Sequence, residues 1–313
     1  MKKLNEVAVD EVFEAYLLIK EMNVRTSKAG KRYQQFKFRD KTGEINGFLW
    51  DTNEYTVKTF VANTVVHFTG RKELYQGIPQ VNQIKLRTLS DSEPSDPQLY
   101  EKQGVIKREV LEEGISEFLF LIKQGHYARI ARNLLEKYRE EFFTYPAAKS
   151  LHHDFAGGLA YHTLTMLKVA KGLLEVYPQM NASLLYTGIL LHDLGKVLEL
   201  SGNGNTQYTL RGQLLGHIVL IDEEIIKATQ ELKIDDADED VVVLRHLILS
   251  HHGQLEFGSP VRPKVLEAEV IHFIDNLDAK VTMITSAIDT LNNGEQTPRV
   301  LGLDNRNFYK PLI

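Results

Sequence analysis

The sequence predicts an α+β protein of two domains, a small five-stranded β-barrel followed by an all-α helical bundle. Residues 1–90 alternate apolar and polar positions in short runs, as half-buried strands do. From residue 99 onwards the apolar positions recur at the spacing of amphipathic helices. Residues 91–98 are polar, contain two prolines and form the predicted linker. The helical domain is predicted to span residues 99–293, and residues 294–313 form a C-terminal tail.

The composition excludes several classes of protein. The chain has 313 residues, enough for two hydrophobic cores, and no cysteine, which rules out disulfides, cysteine-ligated zinc and a thiol nucleophile. No apolar run approaches the roughly 20 residues that cross a bilayer, and the first residues lack the apolar core of a signal peptide. We therefore expect a cytoplasmic protein without a membrane partner.

Charge is divided unevenly along the chain. Residues 1–90 carry 15 Lys and Arg against 10 Asp and Glu, a net charge of +5. The remainder carries 37 − 15 = 22 against 42 − 10 = 32, a net charge of −10. A basic small domain beside an acidic one fits a polyanion-binding module attached to a cation-dependent catalyst. The alternative is a chance partition of surface charge.

Five strands are predicted in the first domain. They span residues 12–20, 32–40, 44–50, 64–74 and 78–89, and a short helix is predicted at residues 53–60. Five strands with one helix between the third and the fourth is the order of an OB-fold, a Greek-key barrel that binds single-stranded nucleic acid or oligosaccharide. The aromatic residues Phe36, Phe38, Phe48 and Trp50 alternate like core residues and are predicted to fill the barrel.

The loop at residues 26–32 joins the first two strands, where OB-folds commonly contact their ligands. Basic side chains in this region would meet phosphates, and aromatic side chains would stack on bases. The predicted nucleic-acid-binding residues are Lys28, Lys31, Arg32, Tyr33, Arg71, Lys72 and Tyr75.

Seven longer helices are predicted in the second domain. They span residues 110–123, 127–143, 159–177, 182–194, 211–232, 239–252 and 264–291. A Gly/Asn turn between short runs at residues 199–208 indicates a small hairpin.

An adjacent His192-Asp193 pair at the end of an apolar helix is the start of a metal site. A divalent cation requires about four to six ligands, so other helices must supply the remainder. The candidate metal ligands are His162, His192, Asp193, His217, His251 and Asp275. Six ligands exceed the needs of one ion, whereas two ions with Asp193 as a bridge would use them all. Imidazoles and carboxylates suit manganese, iron, cobalt or zinc better than magnesium alone.

Other residues near this motif have several interpretations. His252 is an alternative ligand to His251, because adjacent residues of a regular helix cannot both point into one cavity. His246 and His272 lie on apolar helical stretches and are interpreted as core or supporting residues. Lys196 lies about one turn beyond His192, where its charge would neutralise a substrate phosphate. The candidate catalytic residues are Asp193, Lys196, His152 and His153.

The ordered motif resembles a known family. His162, His192-Asp193 and Asp275 resemble the HD-domain superfamily of metal-dependent phosphohydrolases, and the added His217 and His251 resemble its dinuclear members. Over nearly the whole chain the layout is similar to the YhaM-type 3′-5′ exoribonucleases of Gram-positive bacteria. The similarity rests on the N-terminal OB-fold, His152-His153, Gly157-Gly158, the run 190–197, Ser250-His251-His252-Gly253 and the tail 303–311.

This resemblance implies removal of nucleoside 5′-monophosphates from the 3′ end of single-stranded RNA, with some action on DNA. It implies two divalent cations per site, with Mn²⁺ expected first and Co²⁺, Fe²⁺ or Zn²⁺ as alternatives. Two other functions stay open: an HD-type hydrolase of small nucleotides, and a non-enzymatic DNA- or RNA-binding factor. The sequence does not distinguish a monomer from a homo-oligomer.

Overall fold

The computed structural model describes residues 1–100, 106–148, 155–202, 206–289 and 291–313. The chain forms two compact units, Met1–Gln103 and Gly104–Ile313. The first is a closed β-barrel and the second is helical, so the predicted α+β fold class is confirmed. Among the described residues, no helix is both long and apolar enough to span a membrane.

The barrel is built from five strands. They are β1 (Val12–Thr26), β2 (Arg32–Asp40), β3 (Gly43–Leu49), β4 (Thr64–Tyr75) and β5 (Ile78–Arg87). The order around the closed barrel is β1-β2-β3-β5-β4, and helix α1 (Glu54–Thr59) lies between β3 and β4. All neighbouring pairs are antiparallel except β3 and β5, which are parallel. This is the strand order and helix position expected of an OB-fold.

The aromatic core prediction is right for two residues and wrong for two. Phe36 and Phe38 are buried inside the barrel, but Trp50 is 48% exposed and Phe48 is only partly buried. The cause is the register of β2 and β3, in which Phe36 pairs with Gly47. Odd positions of β3 therefore face the core and even positions face outwards. Gly47 holds the inward position because a Cβ there would lie 2.6 Å from the side chains of Ile84 and Val81.

A buried charge cluster ties three strands of the barrel together. The Glu44 carboxylate on β3 accepts hydrogen bonds from Lys20 Nζ on β1, at 2.6 Å, and from Arg39 Nε on β2, at 2.7 Å. Lys37 Nζ lies 3.1 Å away. Burial acts to raise the pKa of Glu44, but Arg39 and Lys20 outweigh it and lower that pKa to about 2.

Nine helices are described in the second unit. They are α2 (Arg108–Leu121), α3 (Gly125–Lys137), α4 (Arg139–Thr144), α5 (Gly158–Val176), α6 (Ala182–Leu191), α7 (Lys196–Glu199), α8 (Leu210–Leu232), α9 (Glu239–Ser250) and α10 (Leu266–Ile288). Apolar side chains from α2 to α10 form one continuous core that is separate from the barrel core. Isolated bridges join Gln296 with Tyr309 and Val300 with Arg306 in the tail.

Several helix ends differ from the prediction. The helix predicted at residues 127–143 is two helices, because Tyr138 leaves the helical conformation. Helix α6 ends at Leu191 and α9 at Ser250, earlier than predicted. Within α8, Gly216 adopts φ 74° and ψ 157°, which breaks the helix just before His217. The predicted hairpin contains a Leu200–Tyr208 bridge, and its residues 203–205 lie outside the described part of the chain.

Candidate metal centre

The predicted ligands converge in the interior of the helical unit. They come from α5, the turn after α6, the broken part of α8, the residues after α9, and α10. Their ligating atoms form two groups that share one carboxylate. We refer to them as the first group (His162, His192, Asp193 and Asp275) and the second group (His217, His251, His252 and Asp193).

The first group combines two imidazoles with two carboxylates. His162 Nε2 lies 3.3 Å from His192 Nε2 and 3.3 Å from Asp275 Oδ1. Asp193 Oδ2 lies 3.3 Å from His192 Nε2 and 3.6 Å from His162 Nε2. A small cation among these atoms would contact nitrogen and oxygen together.

The second group is richer in nitrogen. The ligating atoms of His217, His251 and His252 all lie within 4.8 Å of one another. Asp193 Oδ1 lies 3.4 Å from His217 Nε2 and 4.0 Å from His251 Nε2. Asp193 thus directs Oδ2 to the first group and Oδ1 to the second, which is the geometry of a bridging carboxylate.

The histidine rings are held by their other nitrogen. The Nδ1–H groups of three rings donate to backbone carbonyls at 2.7–2.8 Å: His192 to Ile189, His251 to Ile248 and His252 to Phe257. These bonds leave Nε2 of each ring with its lone pair facing the cluster.

Two carboxylates that the sequence analysis missed orient the remaining rings. Asp278 Oδ2 lies 2.7 Å from His162 Nδ1, and Glu199 Oε1 lies 3.2 Å from His217 Nδ1. The His217 backbone N–H also donates to Glu199 Oε1, at 3.1 Å. Asp278 lies one helical turn after Asp275, a spacing that could have indicated it. Glu199 could not be found from spacing, because its role depends on the packing of α7 against α8.

The residues of both groups fit a divalent cation. In the described part of the chain, Nε2 of His217 and Nε2 of His251 are buried and have no hydrogen-bond partner. Buried polar atoms are almost always paired, because an unpaired one loses its hydration without compensation. Imidazole and carboxylate donors are those preferred by manganese, iron, cobalt and zinc. A cation held by these residues would provide the missing partner for both Nε2 atoms.

The protonation states of Asp193 and His251 suit a metal centre, whereas His162 must lose a proton when a cation binds. Burial acts to raise the pKa of Asp193, but Lys196 and His192 hold it well below its usual range, so the bridge is ionised. Burial, reinforced by His252 and His192, holds the pKa of His251 well below its usual range, so this imidazole is neutral. Burial alone would lower the pKa of His162, but hydrogen bonds with Asp275 and Asp278 raise it to about 9.

The expectation that only one of His251 and His252 faces the centre is wrong. It assumed a regular helix, whereas α9 ends at Ser250 and both histidines lie beyond it. The two ring centroids are 4.3 Å apart and each lies within 5.7 Å of the His217 ring. Both imidazoles therefore belong to the second group.

The other predicted residues near the centre are placed as follows. Lys196 Nζ donates to Asp193 Oδ2 at 2.6 Å, so its charge lies against the bridge. His152 and His153 lie outside the described residues. His272 donates to the backbone carbonyl of His251 at 3.2 Å, and His246 accepts from the backbone N–H of Lys264.

The predicted nucleic-acid-binding residues of the barrel divide into three kinds. Lys28 and Arg32 are exposed, while Lys31 is exposed and lies 3.2 Å from Asp51. Tyr33 and Tyr75 line a groove on the barrel surface. Arg71 is half-buried.

The prediction for Lys72 needs correction. Its Nζ donates to the backbone carbonyls of Leu4 and Val7, at 3.2 and 2.8 Å. Burial lowers its pKa despite the nearby Glu11. This lysine fastens the N-terminal segment to the barrel, so its ammonium group is already hydrogen-bonded within the protein and does not serve as a phosphate contact.

Comparison with protein families agrees with this geometry. Residues 159–280 match the family model described as the HD domain. All seven residues of the two groups lie inside the matched range. This part of the helical unit is therefore similar to an HD domain, and that similarity indicates a metal-dependent hydrolase of the phosphohydrolase kind.

Proposed function

We propose that this chain is a metal-dependent 3′-5′ exoribonuclease that hydrolyses single-stranded RNA to nucleoside 5′-monophosphates, with single-stranded DNA as a second substrate. The observation that carries the proposal is the position of Asp193, with one oxygen directed to each group of ligands. Phosphodiester cleavage is the reaction for which two adjacent cations are suited.

The residues of the chain have distinct roles in this proposal. Two cations, with Mn²⁺ expected first, would supply activation of water and stabilisation of charge on the phosphoryl oxygens. Asp193 holds the two positions at a fixed separation, because it is ionised and buried. The Lys196 ammonium group, 2.6 Å from Asp193, adds a positive charge where a phosphate would lie. Asp278 and Glu199 fix the rings of His162 and His217.

The barrel supports a polymeric rather than a small substrate. Its exposed Lys28 and Arg32 suit phosphates, and its exposed aromatic residues suit bases. A hydrolase of free nucleotides has no use for such a surface. The polarity of degradation and the released product rest on the family resemblance.

The test is a time course on a 5′-labelled single-stranded RNA with full-length protein stripped by EDTA, before and after addition of Mn²⁺. We expect a ladder that shortens from the 3′ end only when Mn²⁺ is present. Asp193→Ala should reduce the rate by at least about a hundredfold, because it removes a ligand of both groups and not just an outer partner.

The matched control is His126→Gln on α3. The His126 ring lies beside Asp238 and Asp240 at the start of α9, roughly 16 Å along the helix axis from His251. It should keep full activity, and far-UV circular dichroism should show native helix content for both variants. Intact RNA with rapid turnover of free nucleotides would instead identify a small-nucleotide hydrolase. Tight RNA binding without metal-dependent cleavage would identify a binding factor.

A further inference from the structure

The outer surface of the barrel carries a groove of about 670 Å³. Aromatic side chains form part of its lining, and a carboxylate and side-chain amides form the rest. No lysine or arginine is among the residues described as lining it. This lining fits an uncharged, flat ligand that has hydrogen-bond donors on its edge, and it does not fit a phosphate.

The aromatic part of the groove is a ready stacking surface. The rings of Tyr33 and Trp50 lie 4.7 Å apart between centroids at an interplanar angle of 31°, and Phe48 lies 6.2 Å from Trp50. Trp50 is 48% exposed and Tyr75, on the β4–β5 hairpin, is 61% exposed. Exposed rings held in place by one another lose little entropy when a base stacks on them.

The polar part of the groove is centred on Glu73. Glu73 on β4 pairs across the hairpin with Gln80 on β5. Its Oε2 accepts a hydrogen bond from Asn82 Nδ2 at 2.9 Å, which fixes the direction of the carboxylate. An ionised carboxylate only accepts hydrogen bonds, so it selects a ligand that donates them.

Among the four RNA bases, guanine meets this requirement best. Its Watson–Crick edge presents two neighbouring donors, N1–H and the N2 amino group, which match the two oxygens of a carboxylate. Adenine and cytosine each place a ring acceptor beside their amino group, and uracil places carbonyls on both sides of its one N–H. Single-stranded RNA is recognised in this way, by stacking on aromatic rings and bonding along the base edge.

We propose that this groove is a base-selective subsite for the RNA substrate, in which Tyr33, Phe48 and Trp50 stack a base and Glu73 selects guanine. The proposal rests on the proposed function and adds a sequence preference to it. Aromatic and amide side chains also suit an oligosaccharide. RNA is favoured because residues 1–90 carry a net charge of +5 and the loop before β2 exposes Lys28 and Lys31, which suit a polyanion and have no role with a neutral sugar.

Trp50 makes the proposal directly measurable, because it is the only tryptophan in the chain. Its fluorescence is followed while full-length protein in EDTA is titrated with two short uridine oligomers of equal length, one of which has a single guanosine at its centre. EDTA prevents cleavage during the titration. We expect both oligomers to quench Trp50 and the guanosine-containing one to bind about tenfold more tightly.

Glu73→Gln separates selection from stacking. It should abolish the tenfold preference and leave the affinity for the all-uridine oligomer unchanged, since glutamine keeps the size of the side chain but presents a donor to the guanine edge. Glu54→Gln, on the exposed helix α1, is the matched control and should keep the preference. Retained uridine binding by Glu73→Gln also shows that the groove is intact.

Three results would overturn the proposal. They are equal affinity for the two oligomers, a guanosine preference that survives Glu73→Gln, and Trp50 quenching by maltooligosaccharides but not by RNA. Each of these can be obtained while metal-dependent cleavage of RNA is normal, in which case the exonuclease proposal stands and the subsite fails. Quenching with the expected guanosine preference but without metal-dependent cleavage would support the subsite and contradict the exonuclease proposal.

Discussion

Asp278 and Glu199 show how individual side chains prepare the centre. Each carboxylate bonds Nδ1 of a histidine whose Nε2 faces the cluster, so each fixes both the tautomer and the orientation of the ring. The rings of His192, His251 and His252 are fixed in the same way by hydrogen bonds to backbone carbonyls. Rings held by side chains can be perturbed by substitution, whereas rings held by the backbone cannot.

We therefore expect Asp278→Asn to weaken metal binding by about 10–100-fold while leaving the helical fold intact. Asparagine keeps the size of the side chain but removes the negative charge that holds the imidazole N–H. The measurement is a calorimetric titration of EDTA-stripped protein with Mn²⁺. Asp236→Asn, in the exposed loop before α9, serves as the control. An Asp278→Asn protein with normal Mn²⁺ affinity would show that this bond has no part in positioning His162.

The individual ligands were the part of the centre most open to sequence reasoning. His162, His192, Asp193 and Asp275 occur in order on strongly apolar helices, where charged and imidazole side chains need a reason to be buried. The pairing of His251 with His252 was not predictable, because it depends on where α9 ends. The environment of Lys72 was hidden for a similar reason, since its partners are backbone carbonyls far away in sequence.

At the scale of elements, the close packing of α7 against α8 places His217. A Cβ at Gly195, just before α7, would lie 2.2 Å from the backbone carbonyl oxygen of His217. A Cβ at Gly212 on α8 would lie 2.2 Å from the carbonyl oxygen of Glu199. Both contacts are with backbone, which cannot move aside as a flexible side chain can.

Gly195→Ala should therefore destabilise the helical unit by about 1–3 kcal/mol or more, since the added methyl group overpacks a site with no room. It should also weaken Mn²⁺ binding, because the displaced backbone belongs to His217. Urea unfolding followed by far-UV circular dichroism measures the first effect and calorimetry the second.

Gly172→Ala is the control, and it should change the free energy of unfolding in the opposite direction. Nothing lies within 4 Å of a Cβ at this helical position, and we expect a gain of about 0.5–1 kcal/mol. Equal stability of Gly195→Ala and the parent chain would contradict the packing argument.

The order and type of the longer elements followed from hydrophobic periodicity, but the number of helices and the faces and ends of the elements did not. The inward face of β3 was misassigned because Gly47 leaves no apolar side chain to mark it. The alternation of aromatic residues therefore predicts burial of Phe48 and Trp50, but both lie on the outside of the barrel. The nearest glycines, Gly195 and Gly253, lie three or more residues beyond the helix ends at Leu191 and Ser250, so a glycine stop signal places both ends too late. In each case tertiary contacts determine which face is buried or where the helix ends, and these contacts cannot be read from a single sequence.

At the scale of the whole molecule, the described residues form two main hydrophobic cores, and the unit that holds each core also contains a largely buried carboxylate surrounded by cations. Glu44 serves the barrel. In the helical unit, Glu224 accepts from Lys137, Lys227 and Tyr138, at 2.8, 2.6 and 2.6 Å. Burial acts to raise the pKa of Glu224, but its partners lower it to about 2, as they do for Glu44.

These two carboxylates should make the stability of each unit fall separately in acid. The folded-state pKa of Glu44 lies below its usual value of 4.5, so its contribution is complete above that pH and is lost as pH falls towards about 2. The shift corresponds to at most about 3 kcal/mol. Glu44→Gln should therefore lower the unfolding midpoint of the barrel at neutral pH, and the gap from the parent chain should narrow progressively below pH 4.5.

Trp50 lies in the barrel, so thermal unfolding followed by its fluorescence reports that unit alone. Glu224→Gln is the cross-control: it should shift the far-UV transition of the helical unit and leave the Trp50 transition unchanged. A gap between Glu44→Gln and the parent chain that stays constant with pH would refute the assignment of Glu44 as the acid-sensitive group.

The seven candidate ligands come from five places in the chain, between residue 162 and residue 275, in a protein that has no cysteine. An ion held from both ends of so long a stretch is a removable cross-link, the counterpart of the disulfides that brace secreted domains. Binding to the folded state alone stabilises it by mass action, about 2.7 kcal/mol at a free concentration a hundred times Kd. The supply of metal ions would thus set the thermodynamic stability of the fold as well as the rate of the reaction.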